Sequence, residues 1–270
     1  MQYLAARDEG DVLEALSDGE TSVLAGGQSL IIDVRRREHC PPRIVDINRV
    51  TAFDTLIENG GFLRIGPLVR HRTFESEKVA GPLGELMRVV VQHIGHPPIR
   101  ARGTMLGSLA YAHPAAEWPV VAVTLGAQLV LAGLRGRRTV AAGEFFTGPY
   151  GTVRRPDELL VEVRLPLLPG GTGTGYAEDR RTTIYPQAAA MAAITVTDGL
   201  ITAAAIGLVN AGPCPVRARA AENVLLGGPC SDAAITAAAE AAAEVDVTTG
   251  DRRAIRRQAR RALSQARERV

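Results

Sequence analysis

Two short glycine-containing stretches, well separated in this 270-residue chain, constrain it more than any other feature. The first reads Ala25-Gly26-Gly27-Gln28-Ser29-Leu30-Ile31. The second reads Arg102-Gly103-Thr104-Met105-Leu106-Gly107-Ser108-Leu109-Ala110-Tyr111-Ala112-His113-Pro114-Ala115-Ala116-Glu117-Trp118-Pro119. Each sets glycine beside a small hydroxyl residue after an apolar run, so that backbone N–H groups and a hydroxyl are exposed with no side chain in the way. Two such loops facing each other can hold a diphosphate between them, which points to a nucleotide cofactor. Taken alone, the first reads equally as a strand-to-helix turn with Ser29 as the helix N-cap. The second tips the balance, because Gly103-Thr104 and Gly107-Ser108 repeat the arrangement. Glu117 then follows, a carboxylate suited to accepting hydrogen bonds from the hydroxyls of a sugar or polyol.

Composition removes several alternatives. Aromatic residues make up only 4% of the chain, which disfavours a stacking platform for single-stranded nucleic acid. A formal net charge of +2 is too small to imply a polyanionic partner. Cys40, Cys214 and Cys230 lack the clustered spacing of zinc or iron–sulfur ligands and read as free thiols in a reducing cytoplasm. The N-terminus carries Arg7 and Asp8 where a signal peptide needs an apolar core, and no stretch is apolar enough to span a bilayer, so a soluble cytoplasmic chain is expected. His93 and His96 invite a metal reading, but Pro97 and Pro98 follow at once and no further ligand lies nearby in sequence. No serine or cysteine occupies a Gly-x-Ser-x-Gly elbow, and no catalytic residue is assigned.

The first fifty residues read as a β-α-β-type unit: a helix over 11–16, a strand over 22–24 entering the first loop, a helix over 30–37 and a buried strand over 43–47. The alternation in Phe62-Leu63-Arg64-Ile65-Gly66 opens a second unit. A helix is expected over 81–93, stopped by Pro97-Pro98, and another over 115–125. Strands follow over 128–132 and 157–165. The run Gly170-Gly171-Thr172-Gly173-Thr174-Gly175 lacks the context of a dinucleotide fingerprint and reads as a flexible connector. Beyond it, strands over 188–196 and 200–209 are joined at Asp198-Gly199, a hairpin signal. Three helices close the chain, about 216–226, 232–243 and 251–269. The last is arginine-rich, and its interleaved Ala254, Ile255, Ala259, Ala262 and Leu263 predict a solvated face on a core-packed helix.

The pattern Ala-Gly-Gly-x-Ser-Leu, then Arg-Gly-Thr-x-x-Gly-Ser-Leu-Ala with Pro-Ala-Ala-Glu-x-Pro, resembles the FAD-binding medium-subunit family of molybdenum hydroxylases. Carbon monoxide dehydrogenase medium chains and the flavin domain of xanthine dehydrogenase belong to that family. A third match, Ala205-Ile206-Gly207-Leu208-Val209-Asn210-Ala211-Gly212-Pro213-Cys214-Pro215-Val216-Arg217-Ala218, resembles the start of its C-terminal domain. The resemblance implies an α+β chain with a vanillyl-alcohol-oxidase-like (PCMH-type) FAD-binding fold. Two α/β subdomains, 1–56 and 57–168, would precede a C-terminal α+β domain, 169–270. It implies FAD as cofactor, held by Leu24, Ala25, Gly26, Gly27, Gln28, Ser29 and Leu30, by Thr104, Met105, Leu106, Gly107 and Ser108, and by Glu117, Leu160 and Arg180. It also implies an iron–sulfur small subunit and a molybdopterin large subunit as partners, with no nucleic acid and no membrane insertion. Electrons would pass from the iron–sulfur clusters through the flavin to an external acceptor.

The chain departs from the family pattern at three places. Leu106 stands where relatives carry the first glycine of Thr-Ile-Gly-Gly, a change that strains or reshapes the loop if that glycine has positive φ. Ile32 replaces a proline. Between Tyr176 and Tyr185 a family lysine is missing, with Ile184 at an aspartate position and Arg180 or Arg181 as the stand-in. Three readings follow: an electron-transfer subunit, a stand-alone FAD oxidoreductase acting on a small molecule, and a non-catalytic homologue that has lost FAD.

Overall fold

The computed structural model describes residues 1–179, 185–245 and 251–270. At the N-terminus, β1 (Gln2–Ala5), β2 (Thr21–Leu24) and β3 (Arg43–Asp46) form a parallel sheet in the order β1-β3-β2. β3 takes the centre because Ile44 and Val45 point to opposite faces and both are buried. α1 (Glu9–Leu16) starts at Asp8, whose carboxylate accepts from the Asp11 amide at 2.9 Å, and it buries Val12, Ala15 and Leu16. α2 (Leu30–Arg36) follows the first glycine loop and buries no residue fully.

The middle unit is an antiparallel sheet in the order β4-β5-β10-β6-β7. β4 (Leu56–Asn59) and β5 (Phe62–Ile65) form a hairpin at one edge, and β6 (Gln128–Gly133) and β7 (Gly136–Ala141) form another. After α7 (Ala142–Phe145) and the short pair β8 (Phe146–Gly148) and β9 (Gly151–Thr152), β10 (Leu159–Pro166) returns between β5 and β6. Between β5 and β6 in the chain run α3 (Gly81–His93), α4 (Pro97–Arg102), α5 (Met105–Tyr111) and α6 (Glu117–Thr124). They share one core, in which Leu63, Ile65, Met87, Val90, Trp118, Leu129 and Val163 are all buried.

Two expectations are corrected in this unit. α3 does end at His93, but Pro97 and Pro98 open α4, where a missing N–H is one the first turn leaves unpaired anyway. The second glycine stretch is only briefly a loop, because α5 begins at Met105.

The C-terminal unit is an antiparallel sheet of β11 (Thr172–Asp179), β12 (Ala188–Thr197), β13 (Leu200–Val209) and β14 (Val216–Arg217). α8 (Arg219–Leu225), α9 (Asp232–Ala243) and α10 (Arg252–Arg267) complete it. The β12–β13 turn has Asp198 at φ 51° and Gly199 at φ 78°, as a two-residue hairpin requires. The glycine run expected to be a flexible connector is in fact the start of β11, paired with β12 from Thr172–Thr195 to Asp179–Ala188. Here glycine serves close packing. A Cβ on Gly173 would stand 2.9 Å from the Ala266 carbonyl carbon, and one on Gly175 would stand 3.0 Å from that of Ala262. α10 thus lies directly on the strand and seals its free edge: Gln265 Oε1 accepts from the Tyr176 amide at 3.0 Å and Arg269 Nη1 donates to the Thr174 carbonyl at 2.7 Å. The opposite face of α10 presents its arginines to solvent. His93 Nδ1 lies 3.1 Å from Glu178 Oε1, tying α3 to β11. Among the described residues no helix is long and apolar enough to cross a membrane.

Candidate cofactor site

The first glycine stretch leaves β2 at Leu24 and enters α2 through Ser29. Gly27 sits at φ +73°, a conformation glycine adopts without strain. Ser29 occupies the N-cap position, yet its hydroxyl caps nothing. Among the described residues, the amides of residues 26–32 find no backbone or side-chain acceptor, and Asp33 N is the first to do so, donating to Ser29 O at 3.0 Å. This largely half-buried run of open N–H groups beside an idle hydroxyl has the donor chemistry an anion requires.

The second stretch is held by the segment after β5. Val69 O accepts from Met105 N at 3.4 Å, His71 N donates to Gly103 O at 2.9 Å, and Arg70 and Thr104 form an isolated bridge between them. Thr104 then caps α5, its Oγ1 accepting from Gly107 N at 3.1 Å. The Leu106 amide between these donors has no acceptor among the described residues. The Leu106 side chain is buried in the core, and residue 106 is helical and outside the left-handed region. The strain expected of leucine at this position is therefore absent.

Behind this segment stands His71, 5% exposed. Its Nδ1 accepts from Trp118 Nε1 at 3.0 Å, so the ring is neutral with its proton on Nε2. Burial, with Arg70 and Arg100 nearby, pushes its pKa down to about 3.

The two stretches touch. A Cβ on Gly26 would stand 2.8 Å from Gly103 Cα and 2.9 Å from the Arg102 carbonyl carbon, so the loops meet backbone to backbone. Facing them is a group of rings. His113 stacks on Tyr185 with centroids 3.8 Å apart, and Tyr150 meets both His113 and Tyr111 edge-on. Tyr111 donates its hydroxyl to Asp33 at 3.2 Å, linking α5 to α2. Burial and the Asp33 charge push the Tyr111 phenol up. Ala112 (φ 52°) and Tyr150 (φ 58°), both left-handed, are joined by the bond from Tyr150 N to Ala112 O at 2.9 Å. Glu117, 5% exposed at the start of α6, lends its charge to raising the Tyr185 phenol, after burial as the main cause.

The structure thus brings together Leu24 to Leu30 and Thr104 to Ser108 from the expected set. Met105 and Leu106 offer only backbone, because their side chains belong to the core. Leu160 lies buried in β10 within that same core. Arg180 and Ile184 fall outside the described residues. Sequence reasoning passed over Asn48, Arg70 and His71, which lie in short polar runs after strands and acquire a role only once β3, the segment after β5 and α5 converge.

Comparison with known proteins splits the chain once, between the middle and C-terminal units. Residues 1–168 match the FAD binding domain in molybdopterin dehydrogenase, and residues 178–262 match the CO dehydrogenase flavoprotein C-terminal domain. The chain is 34% identical to the nicotine 6-hydroxylase medium subunit of Paenarthrobacter nicotinovorans, over 90% of this chain and 86% of that protein. It is 31% identical to the carbon monoxide dehydrogenase medium chain of Hydrogenophaga pseudoflava, over 89% of this chain and 85% of that protein. A solved structure of carbon monoxide dehydrogenase from Hydrogenophaga pseudoflava, in a form lacking the Mo-pyranopterin moiety, superposes with a TM-score of 0.94 at 31% identity, covering 100% of this chain and 98% of that one. With its paired glycine loops in contact and both domains matched in order, the chain belongs to the FAD-binding medium-subunit family of molybdenum hydroxylases.

Proposed function

We propose that this chain binds FAD with the diphosphate against the first loop and the start of α5, and relays electrons within a molybdenum-hydroxylase-type complex. The donors are the iron–sulfur clusters of a small subunit, supplied in turn by a molybdopterin large subunit, and an external acceptor takes the electrons away. The observation that carries the reading is the run of amides over 26–32 that lack acceptors, set beside the uncapping Ser29 hydroxyl and packed on the second loop. Such donors suit a dianionic diphosphate. Gly26, Gly27, Gln28 and Ser29 supply the first set of donors, and the Leu106 amide with the Ser108 hydroxyl supplies the second. Glu117 is the acceptor for a polyol hydroxyl. When bound, the flavin ring supplies the redox chemistry, and the protein supplies position and electrostatics.

In this reading the chain divides at 1–56, 57–168 and 169–270, supported by the three larger sheets, which fall almost wholly within those limits, β4 starting one residue early at Leu56. The complex works in the cytoplasm. The test is the absorption spectrum of the purified protein. A flavin spectrum near one equivalent is expected, and a colourless protein that refuses added FAD overturns the proposal. Co-purification with an iron–sulfur subunit distinguishes the relay from a stand-alone oxidoreductase.

A further inference from the structure

Contact alone does not fix the spacing of the two loops, because a pair of side chains spans them. Asn48, just past β3, uses both amide hydrogens: Nδ2 donates to Ala25 O at 2.8 Å and to Asp46 Oδ1 at 2.6 Å. Its Oδ1 accepts from Arg70 Nη2 at 2.5 Å, and Arg70 Nη1 reaches Arg102 O at 2.5 Å. Every atom of the Asn48 amide is satisfied in this orientation, which fixes which end is oxygen. The carbonyl of Ala25 in the first loop and that of Arg102 in the second are therefore joined through one asparagine and one arginine.

The bridge starts from fixed ground. Arg70 shares its backbone bridge with Thr104, and its neighbours Val69 and His71 bond to Met105 and Gly103. Asn48 is held from the other side, its own amide donating to Asp46 Oδ1 at 2.8 Å. A carbonyl engaged by the bridge faces away from an anion that would repel it, which leaves the N–H side of each loop to the ligand.

We propose that Asn48 and Arg70 are positioning residues that set the separation and orientation of the two loops for a diphosphate; the inference rests on the FAD reading above. Arginine suits the task because its planar fork holds two acceptors at once in a fixed geometry, whereas lysine is a single point charge. Asparagine suits it because the aspartate isostere loses the donor to Ala25 O and sets a second carboxylate against Asp46.

The experiment is titration of the cofactor-free protein with FAD and with ADP, which carries the diphosphate without the flavin. Wild type, Arg70→Lys and Asn48→Asp are compared, and the thermal midpoint of each is recorded. Both variants are expected to weaken FAD and ADP together by about tenfold or more, the scale of one charge-assisted hydrogen bond. Lysine keeps the charge, so the salt dependence of the remaining Arg70→Lys affinity should match wild type. Arg70→Lys binding both ligands within about threefold of wild type overturns the bridge and leaves only charge. Should the variants not fold, amide hydrogen exchange on wild type decides the matter. ADP should protect 25–29 and 103–107 together, and protection of one stretch without the other overturns the proposal. A wild type that binds neither FAD nor ADP overturns the FAD reading itself.

Discussion

Replacing Gly26 with alanine adds one methyl group where only backbone surrounds it. The new Cβ would stand 2.8 Å from Gly103 Cα and 2.9 Å from the Arg102 carbonyl carbon, closer than real Cβ atoms come. No rotamer relieves this, since every near neighbour is main chain. Gly26 is not among the positive-φ residues, so the effect is steric and not conformational. The Arg102 carbonyl oxygen is nearer still, so separation to ordinary contact moves the second loop by roughly 1 Å, and overpacking of this kind costs about 1–3 kcal/mol. The same shift stretches the 2.5 Å bond from Arg70 to Arg102 O, and a weakened charge-assisted bond adds roughly 1 kcal/mol or more. At about 2–4 °C per kcal/mol for a chain approaching this size, the thermal midpoint should fall by roughly 5–15 °C. FAD affinity should fall by about tenfold to a hundredfold, because the two sets of donors no longer meet the ligand at one spacing. Calorimetry and FAD titration measure the two effects. Gly27→Ala is the comparison: its Cβ meets only side-chain atoms of Ile31 and Leu24 at 3.2 Å, and strain at φ +73° costs about 1 kcal/mol. A Gly26→Ala protein with wild-type midpoint and wild-type FAD affinity would refute the claim that the loops meet at that residue.

Leu106→Gly, which restores the family's residue, should lower stability by about 3–6 kcal/mol through a cavity and a helix-interior glycine, without tightening FAD; an unchanged thermal midpoint would contradict the core placement. His71 stays unprotonated in the folded protein down to pH about 3, whereas the unfolded chain binds a proton near pH 6.5. Its contribution is therefore complete above pH 6.5 and lost as pH falls towards 3, at about 1.4 kcal/mol per pH unit. His71→Asn keeps an acceptor for Trp118, and its urea unfolding measured at pH 7 and pH 5 should show that slope removed; parallel curves for variant and wild type would exclude the role. Glu222, 5% exposed, accepts from Ile206 N at 2.9 Å and from Arg217 Nε at 2.8 Å. Glu222→Gln should destabilise the chain by about 3–5 kcal/mol in chemical denaturation by setting donor against donor, and a loss below about 1 kcal/mol would show the pair to be dispensable.

The sequence was most legible where one short-range rule acted alone. α3, α9 and the β12–β13 hairpin lie where periodicity and Asp198-Gly199 place them, because each depends on its own side chains. The glycine run 170–175 misled for a physical reason. Composition reads glycine as freedom, but in β11 it provides clearance for the α10 backbone, a partner some ninety residues away that no local window contains. The second loop misled in the opposite sense. Gly107 and Ser108 look like loop residues, yet Thr104 caps a helix through them, and capping residues resemble phosphate-loop residues because both satisfy open N–H groups. Asn48 and Arg70 carried no signal, since their partners are carbonyls, and every residue has one.

The two halves of the diphosphate site are unequal in their support, and that inequality follows from what lies beneath them. The second loop is continuous with α5, whose Met105, Leu106 and Leu109 are buried in the largest core, and it is splinted by Val69 to His71. The first loop runs into α2, a helix of seven residues that buries none fully and leaves Ile32 40% exposed. Little apolar burial holds α2, so its stability comes from a few ties, two polar and one of packing: Tyr111 to Asp33, Asn48 to Ala25 O, and the Gly26 contact. Each of those ties ends on the second loop or on the Asn48–Arg70 bridge. The first loop therefore takes much of its position from the second, and substitutions on the well-buried side should be felt as loss of ligand binding on the less buried one. A ligand that bonds to both loops stabilises α2 by the same linkage, because ordering the first loop is part of what binding must accomplish.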